Sequence, residues 1–146
     1  MCAKQVIFGC EGLSLSEQEY RFFESENPWG FILFARNVDR PEQVRALTSE
    51  LRAAVGWRCP ILIDQEGGRV QRMTPPHWRA YPPALDQMQA VGATHSARAM
   101  YLRNRLIAEE LHEVGIDANC APVGDVLQEE THPIMRNRCY SDGCKP

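Results

Sequence analysis

Lysine is scarce in this 146-residue sequence, occurring only at positions 4 and 145, and the arginines are scattered rather than clustered. With a net charge of −3 at pH 7, the chain offers no basic run along which a phosphate backbone could bind. We therefore expect no nucleic-acid partner. Apolar runs are short as well. None approaches the ~18 consecutive apolar residues of a membrane-spanning helix, so we expect no membrane partner either.

We expect neither a signal peptide nor a disulfide framework. Residues 1–5 lead straight into the strand-like apolar residues 6–8, without the longer apolar stretch and cleavage site of a signal peptide. Six cysteines are present, but no two form a Cys-x-x-Cys pair. We therefore expect a cytoplasmic protein with reduced cysteines. Cys10, Cys59 and Cys120 adjoin apolar strands and are expected to act as small apolar residues.

The sequence contains no convincing set of metal ligands. His112-Glu113 begins like the zinc motif His-Glu-x-x-His, but Ile116 and Asp117 stand where the second histidine would be needed. The cysteines lack the spacing of a zinc site as well. We therefore expect neither a metal ion nor an organic cofactor.

The composition is that of one globular domain, with 44% hydrophobic and 24% charged residues. Short apolar runs predict strands, and apolar residues at helical spacing predict helices between them. The alternation of strands and helices predicts an α/β fold with a parallel sheet. The predicted strands cover residues 5–9, 31–34, 61–63 and 119–123, and the predicted helices cover residues 15–25, 41–55 and 94–114.

Local signals set the boundaries of these elements. Ser14 and Glu17 have the spacing of a capping box, Pro41 suits the first position of a helix, and Gly56 suits its end. Residues 27–30 predict a turn, and residues 73–89, with two Pro-Pro pairs, predict a long loop. Helical spacing predicts the buried faces of the second and third helices. These faces comprise Val44, Leu47, Leu51 and Ala54 in one helix, and Ala99, Leu102, Leu106, Leu111 and Val114 in the other.

The most informative segment is DQEGGRVQR, at residues 64–72, which directly follows the apolar strand at residues 61–63. Ligands of α/β folds bind where such strands end. The segment places two acids, Asp64 and Glu66, close to two arginines, Arg69 and Arg72. Carboxylates accept hydrogen bonds from hydroxyl groups and guanidinium groups donate them, so the segment could bind a polyhydroxylated ligand. A strand followed by a salt-bridged turn is the other interpretation of this spacing.

These residues resemble the N-terminal half of glycoside hydrolase family 3 β-N-acetylhexosaminidases of the bacterial peptidoglycan-recycling type. The resemblance covers about residues 6–142 and is most specific at residues 64–72. Further matching stretches are GLSL at 12–15, WGFILFARN at 29–37, PEQVRAL at 41–47, GID at 115–117, and APV at 121–123 followed by Asp125. The resemblance implies a (β/α)8 barrel resembling that of triosephosphate isomerase. Because such a barrel needs about 250 residues, this chain would hold about its first four βα units.

By resemblance, Asp64 and Arg72 would bind hydroxyl groups of the sugar in the −1 subsite. Arg138, in the segment NRCY at residues 137–140, would contact the same sugar. Glu66, Arg69 and Asp125 would support these three residues rather than touch the substrate. The implied ligand is a small carbohydrate that contains N-acetylglucosamine, from peptidoglycan-derived muropeptides.

The chain also departs from the family pattern. The family's acid/base histidine lies in a motif of the type Lys-His-Phe-Pro-Gly-His-Gly, and its aspartate nucleophile follows later; neither motif occurs here. None of the four histidines, at positions 77, 95, 112 and 132, has that context, so no catalytic residue is assigned. Arg136 replaces the glycine usual before the Asn-Arg pair, and residues 143–146 do not resemble the helix start expected next.

Three functional interpretations follow from the sequence. Residues 1–146 would form the N-terminal part of a single family 3 barrel domain, and residues 127–146 are expected to form an irregular tail. Such a half-barrel is expected to be inactive alone and to self-associate through exposed sheet edges. The first alternative is a small, complete α/β ligand-binding domain without catalysis. The second is a fragment of a family 3 β-glucosidase.

Overall fold

The structure is a computed structural model that describes residues 2–141. Strands and helices alternate along most of the chain, as the sequence predicted. In chain order the elements are β1 (Lys4–Phe8), α1 (Glu17–Glu26), β2 (Pro28–Leu33), α2 (Pro41–Val55), β3 (Ile61–Ile63), β4 (Gln65–Gly67), β5 (Val70–Gln71), α3 (Ala84–Val91), α4 (Ala93–Glu113), β6 (Ala118–Asn119) and α5 (Pro133–Arg136), with a 3-10 turn at Ala35–Asn37 between β2 and α2.

The main sheet is parallel, which confirms the predicted α/β class. Its strand order is β1-β2-β3-β6, and β4 and β5 form a separate antiparallel hairpin. Side chains alternate between the two faces of a strand. In β3, Ile61 and Ile63 are fully buried against the helices, whereas Leu62 and the following Asp64 lie on the other, more open face.

The core lies between the sheet and helices α1, α2 and α4. The predicted inward face of α2 is confirmed, because Val44, Leu47 and Leu51 are completely buried and Ala54 nearly so. Pro41 is in the first turn of α2, and Gly56 ends the helix in the left-handed conformation (φ 74°), both as predicted. Glycine adopts that conformation without the steric cost that a Cβ atom would impose.

Helix α1 begins two residues later than predicted. The sequence contains two overlapping Ser-x-x-Glu patterns, and the structure uses Ser16 with Glu19 rather than Ser14 with Glu17. The Glu19 N–H donates to Ser16 Oγ at 3.2 Å, and the Ser16 N–H donates to Glu19 Oε2 at 3.0 Å. These two bonds satisfy amide groups that the first turn leaves without helical partners.

The predicted turn at residues 27–30 is wrong in extent. Asn27 alone ends α1, with φ at 45° and its N–H bonded to Phe23 O. Pro28 then begins β2, a position that needs no ladder donor from proline. The strand ends at Leu33, one residue before the predicted end, because Phe34 turns into the 3-10 segment and donates its N–H to Asn37 Oδ1.

The predicted long loop at residues 73–89 contains the start of a helix, α3. The Pro82-Pro83 pair precedes this helix rather than interrupting it, and Pro83 is its N-cap residue. Proline disrupts helix interiors but is compatible with helix starts. Leu85 and Met88 bury one side of α3. The loop is therefore shorter than the prolines suggested.

Helix α4 covers nearly the predicted range, but its buried face is displaced by one residue. Leu111 and Val114 are buried as predicted, whereas Leu102 and Leu106 are exposed. The positions that face inward are Arg103, Ile107 and Glu110, together with Leu111. Two of these are charged, so a search for apolar periodicity alone selected the wrong face.

The last part of the described chain is less regular. The fourth parallel strand, β6, has only two residues, against the predicted range of 119–123. In the tail from residue 127, one short helix, α5, is present. Cys144 and the predicted departure at residues 143–146 lie outside the described residues. Within residues 2–141, no helix is both long and apolar enough to cross a membrane.

The cysteine predictions are correct in part. Cys2, Cys10, Cys59, Cys120 and Cys139 are all free thiols. Cys10 and Cys59 are buried, as expected for small apolar residues. Cys120 is exposed, contrary to the expectation that it acts as a small apolar residue, because it follows the end of β6 at Asn119.

Candidate functional site

The carboxyl end of β3 carries the first ion pair of the site. Asp64 follows Ile63 immediately, and Arg72 returns to it at the end of the β4–β5 hairpin. Arg72 Nη2 lies 2.7 Å from Asp64 Oδ2, and each side chain remains about one quarter exposed. Both side chains of this ion pair are therefore partly accessible at the carboxyl end of β3.

Gln65 holds the hairpin that brings Arg72 back to Asp64. Its side chain is fully buried and takes the place of a strand partner. Gln65 Oε1 accepts the N–H groups of Arg72 and Met73, both at 3.0 Å, while Gln65 Nε2 donates to Met73 O at 2.9 Å. The amide thereby satisfies backbone groups that would otherwise be costly to bury.

The backbone of Gln65 is held in turn by Asn119 at the end of β6. Asn119 Oδ1 accepts the Gln65 N–H at 2.9 Å, and Asn119 Nδ2 donates to Gln65 O at 3.0 Å. One side-chain amide thus extends the pairing of β3 with β6 by one residue. This extension fixes the direction in which the chain leaves the sheet at Asp64.

The two glycines permit a tight turn that carries Glu66. Gly67 and Gly68 both have positive φ, at 97° and 59°. A Cβ atom on Gly67 would lie 2.1 Å from Arg103 Nη2 and 2.9 Å from Pro82 O. Only glycine fits between these groups, so the hairpin is packed directly against the Arg103 side chain.

Glu66 forms the second ion pair, with Arg138 from the segment after α5. Arg138 Nε donates to Glu66 Oε2 at 2.8 Å, and Arg138 Nη2 donates to Glu66 Oε1 at 2.7 Å. This two-bond geometry is the strongest and most directional form of a guanidinium–carboxylate contact. Glu66 is almost fully buried, while about one quarter of the Arg138 side chain remains exposed.

Several of the predicted site residues act electrostatically on Arg138. Hydrogen bonding to Glu66 raises the pKa of Arg138, although burial opposes this, and the charges of Glu66, Asp64 and Asp125 raise it further. Asp125 is exposed and acts on Arg138 through its charge. We call the group formed by Asp64, Glu66, Arg72 and Arg138 the arginine–carboxylate patch.

Arg69 is placed differently from the patch residues. Its guanidinium donates to Ile134 O in α5. It therefore links the hairpin to the segment that carries Arg138 and does not pair with Asp64 or Glu66. A connection between these two segments is consistent with the supporting position expected from the resemblance.

Cys120 faces the arginine–carboxylate patch from the neighbouring strand end. The Cys120 N–H donates to Ile63 O at 2.9 Å, so Cys120 lies next to Asp64 in the parallel register. Burial raises the pKa of the Cys120 thiol, and the carboxylates of Asp64 and Glu66 raise it further.

Sequence reasoning missed Arg103 and the structural role of Gln65. Arg103 is only 2% exposed, and its Nη2 donates to Glu66 O and to Pro82 O. Its buried position could have been found by also testing the face of α4 that is displaced by one residue from the predicted apolar face. The partners of Gln65 could not have been found from sequence, because they depend on the hairpin conformation.

The four histidines lie apart from this chemistry or serve other roles. His77, His95, His112 and His132 are all exposed, and His132 Nδ1 accepts the Ile134 N–H at the start of α5. Across residues 2–141, no three side chains among His, Cys, Asp and Glu are arranged to hold a metal ion.

The arginine–carboxylate patch can hold a neutral, hydroxyl-rich molecule. Carboxylate oxygens of Asp64 can accept hydrogen bonds from hydroxyl groups, and the exposed parts of Arg72 and Arg138 can donate to hydroxyl oxygens. Opposite charges are already paired within the patch, at 2.7 Å for Arg72 with Asp64 and for Arg138 with Glu66. Paired charges limit the attraction for a strongly charged ligand and favour a polar, uncharged one.

The parallel sheet and its flanking helices define an α/β domain, and in such domains ligands bind at the carboxyl edge, where the arginine–carboxylate patch lies. Residues 13–145 match the glycosyl hydrolase family 3 N-terminal domain. The chain therefore belongs to glycosyl hydrolase family 3. This match confirms the predicted family and the partial (β/α)8 barrel.

Individual relatives agree with this assignment. The Beta-hexosaminidase of Alkalilimnicola ehrlichii is 39% identical over 83% of this chain and 35% of that protein. The Beta-hexosaminidase of Stenotrophomonas maltophilia (strain K279a) is 35% identical over 94% of this chain and 41% of that protein. Native NagZ from Neisseria gonorrhoeae superposes with a TM-score of 0.84 at 30% identity, covering 96% of this chain and 41% of that chain. The chain thus spans well under half the length of these relatives.

Gly67→Ala should destabilise the protein more than Gly56→Ala, although both positions have positive φ. The Gly56 site is open, so we expect the free energy of unfolding to fall by about 1–2 kcal/mol, from the left-handed backbone alone. At Gly67 the clash with Arg103 and Pro82 should increase the loss to about 2–5 kcal/mol. Urea unfolding followed by circular dichroism measures both. Equal losses would contradict the close packing of the hairpin on Arg103.

Proposed function

We propose that this chain is the sugar-binding half of a β-N-acetylhexosaminidase that removes terminal β-N-acetylglucosamine from peptidoglycan-derived muropeptides. The observation that carries the proposal is that Asp64 pairs with Arg72 at the carboxyl edge of the sheet, while Arg138 pairs with Glu66, two residues further along the chain. NagZ from Neisseria gonorrhoeae in complex with N-trifluoroacetyl-D-glucosamine superposes with a TM-score of 0.85 at 30% identity. That ligand is an N-acylated glucosamine, which supports the same class of sugar here.

The proposed unit is the N-terminal part of a single barrel domain, formed by residues 1–146. Its four parallel strands would supply one side of the barrel, and further strands would close it. We propose a cytoplasmic location for the protein, in keeping with the free thiols among its described cysteines, since disulfides are rare in that compartment. The muropeptide substrate is proposed on the resemblance to the peptidoglycan-recycling type of the family.

Three side chains are proposed to contact the sugar directly. Asp64 would accept hydrogen bonds from sugar hydroxyl groups, and Arg72 and Arg138 would donate to hydroxyl oxygens. The 2.7 Å contact of Arg72 with Asp64 holds both groups in place before the sugar binds. Such preorganisation reduces the entropy lost on binding. Glu66, Arg69 and Asp125 are proposed as supporting residues.

In the complete enzyme the reaction would proceed with retention of anomeric configuration. An aspartate attacks the anomeric carbon and forms a glycosyl–enzyme intermediate, while an acid gives its proton to the leaving oxygen. A water molecule then attacks the same carbon, transfers a proton to the acid/base group, and releases the sugar with a free anomeric hydroxyl. The resemblance implies that a histidine serves as this acid/base group.

This chain would contribute binding and orientation to that reaction. A sugar held at a fixed distance and angle reacts faster, because part of the entropy has already been lost on binding. Neither the histidine motif nor the later aspartate of the family occurs in the sequence. We therefore propose that the 146-residue chain alone lacks hydrolytic activity.

The purified 146-residue chain should release no nitrophenol from p-nitrophenyl N-acetyl-β-D-glucosaminide. The physical reason is that positioning cannot replace a nucleophile and a proton donor. Absorbance of the nitrophenolate product measures the reaction, and a complete family 3 β-N-acetylhexosaminidase serves as the positive control. Release of nitrophenol by the pure chain, above that of an Asp64→Ala variant, would refute the proposed inactivity.

Asp64→Ala should weaken binding of N-acetylglucosamine to the chain by about tenfold or more, because hydrogen bonds to a charged group are lost. Titration followed by NMR measures the Kd. Asp39→Ala is the matched control: it removes the same charge from an exposed pair with Arg40. An unchanged Kd for Asp64→Ala, in a variant with unaltered circular dichroism, would refute the proposed role of Asp64.

We further propose that the chain self-associates through surfaces that a complete barrel would cover. Strand β1 is an edge of the sheet, and Val6, Ile7 and the neighbouring Trp29 are exposed along it. Leu102 and Leu106 form a second exposed apolar surface, on α4. Unpaired strand edges and exposed apolar patches favour association.

Sedimentation velocity should detect a concentration-dependent oligomer of the purified chain. Val6→Lys should shift the equilibrium toward monomer, because a charge on an edge strand opposes pairing. Glu17→Lys, a substitution on the exposed face of α1, is the control. A monomer that unfolds cooperatively at all concentrations would instead favour the alternative of a small, complete ligand-binding domain.

A further inference from the structure

Arg103 is a buried cation whose hydrogen bonds go to neutral oxygen atoms. It projects inward from α4 and is 2% exposed. Its guanidinium donates to Glu66 O, Pro82 O and Gln87 Oε1. Burying a charge is costly unless it is well paired, and an apolar side chain at this place would avoid that cost. Stability of the core alone therefore does not account for an arginine at this position.

The contacts of Arg103 converge on the backbone around Glu66. Arg103 Nη2 bonds to Glu66 O and lies 2.8 Å from Pro82 O. The same nitrogen occupies the space where a Cβ atom of Gly67 would be, only 2.1 Å from that point. The guanidinium therefore sets the orientation of the peptide group between Glu66 and Gly67. This peptide orientation in turn determines where the Glu66 side chain points.

The Glu66 side chain transmits this position to Arg138. Its two carboxylate oxygens accept from Arg138 Nε and Nη2, at 2.8 Å and 2.7 Å. Two parallel bonds define both the direction and the plane of the Arg138 guanidinium. A rotation of Glu66 would therefore turn Arg138 relative to Asp64, whose charge also acts on Arg138.

Arg103 also lies close to the segment that carries Arg138. Tyr140 follows Arg138 by two residues, and its hydroxyl interacts with the Arg103 guanidinium. The Arg103 guanidinium also lies over the ring of Tyr81, with its carbon atom 5.6 Å from the ring centroid. Arg103 thus joins the hairpin of Asp64 and Arg72 to the chain segment of Arg138.

We propose that Arg103 is a positioning residue of the sugar site, which acts through Glu66 to aim Arg138 at the sugar held by Asp64. This inference rests on the proposed function for its sugar ligand, but the contact between Arg103 and Glu66 does not. The competing explanation is that the hydrogen bonds of Arg103 only stabilise the fold. The two explanations differ in what they predict for an apolar replacement.

Arg103→Met separates positioning from stability. Methionine is flexible and fills the buried space without burying a charge, which offsets the loss of the hydrogen bonds to Glu66 O and Pro82 O. The free energy of unfolding should therefore change little. The pairing of Arg138 with Glu66 should nevertheless loosen. The Arg138 Nε–H signal in nitrogen-15 NMR reports this pairing without any sugar, and its exchange with solvent should become faster in Arg103→Met.

Two further variants complete the sugar-free experiment. Arg105→Met is the matched control, because Arg105 lies on the exposed side of the same helix and pairs with Glu109. It should leave the Arg138 signal unchanged. Arg103→Lys keeps the charge and can reach one carbonyl oxygen, so it should restore the signal in part. An unchanged Arg138 signal in Arg103→Met, or a loss of stability without that change, would overturn the inference.

Sugar affinity then tests whether Arg103 acts through Arg138. Arg103→Met should weaken binding of N-acetylglucosamine by roughly three- to thirtyfold, which lies within the range of coupling between residues of one hydrogen-bond network. In an Arg138→Ala background, Arg103→Met should cause no further loss. Equal losses in both backgrounds would overturn the inference, because independent sites are additive.

Failure of the proposed function has a different signature. If the unsubstituted chain binds no N-acetylglucosamine, the proposed sugar site is refuted. The Arg138 Nε–H signal still decides whether Arg103 positions Arg138, since it requires no ligand. If the chain binds the sugar but Arg103→Met leaves the Arg138 Nε–H signal unchanged, only the positioning role is refuted.

Discussion

The two hydrogen bonds between Glu66 and Arg138 join parts of the chain that are 72 residues apart in sequence. Without this pair, Arg138 would lie on a polar, irregular segment with little to fix its direction. With it, the guanidinium is fixed on the hairpin that follows Asp64, and one quarter of the Arg138 side chain remains exposed. The cost of burying Glu66 is offset because both of its carboxylate oxygens pair with Arg138. Removing the Arg138 side chain would leave this buried charge unpaired.

The backbone beneath this pair is held by polar side chains that replace regular strand contacts. Asn119 binds both backbone groups of Gln65, and the Gln65 side chain binds the backbone at residues 72 and 73. Arg103 holds the carbonyl oxygen of Glu66 from the other side. A β-hairpin of two short strands is only marginally stable by itself. These buried contacts therefore give the arginine–carboxylate patch a defined geometry on a short and otherwise flexible element.

The sequence predicted those elements in which local signals and burial agree. Helix α2 is an example, since Pro41, its apolar stripe and Gly56 all indicate one helix. Prediction failed where two local signals compete or where charges are buried. The overlapping Ser-x-x-Glu patterns displaced the start of α1, and the buried Arg103 hid the true inward face of α4. The pairing of Glu66 with Arg138 could not be derived from spacing, because it depends on how the segment after α5 folds back on the hairpin.

The central claim is that Asp64, Arg72 and Arg138 together hold one N-acetylated sugar. A crystal structure of the 146-residue chain with N-acetylglucosamine tests this most directly. We expect the sugar at the carboxyl edge of β3, with hydroxyl groups within hydrogen-bond distance of Asp64 and of both guanidinium groups. A sugar bound elsewhere, or an arginine–carboxylate patch that stays empty at saturating sugar while the ion pairs remain intact, would contradict the account.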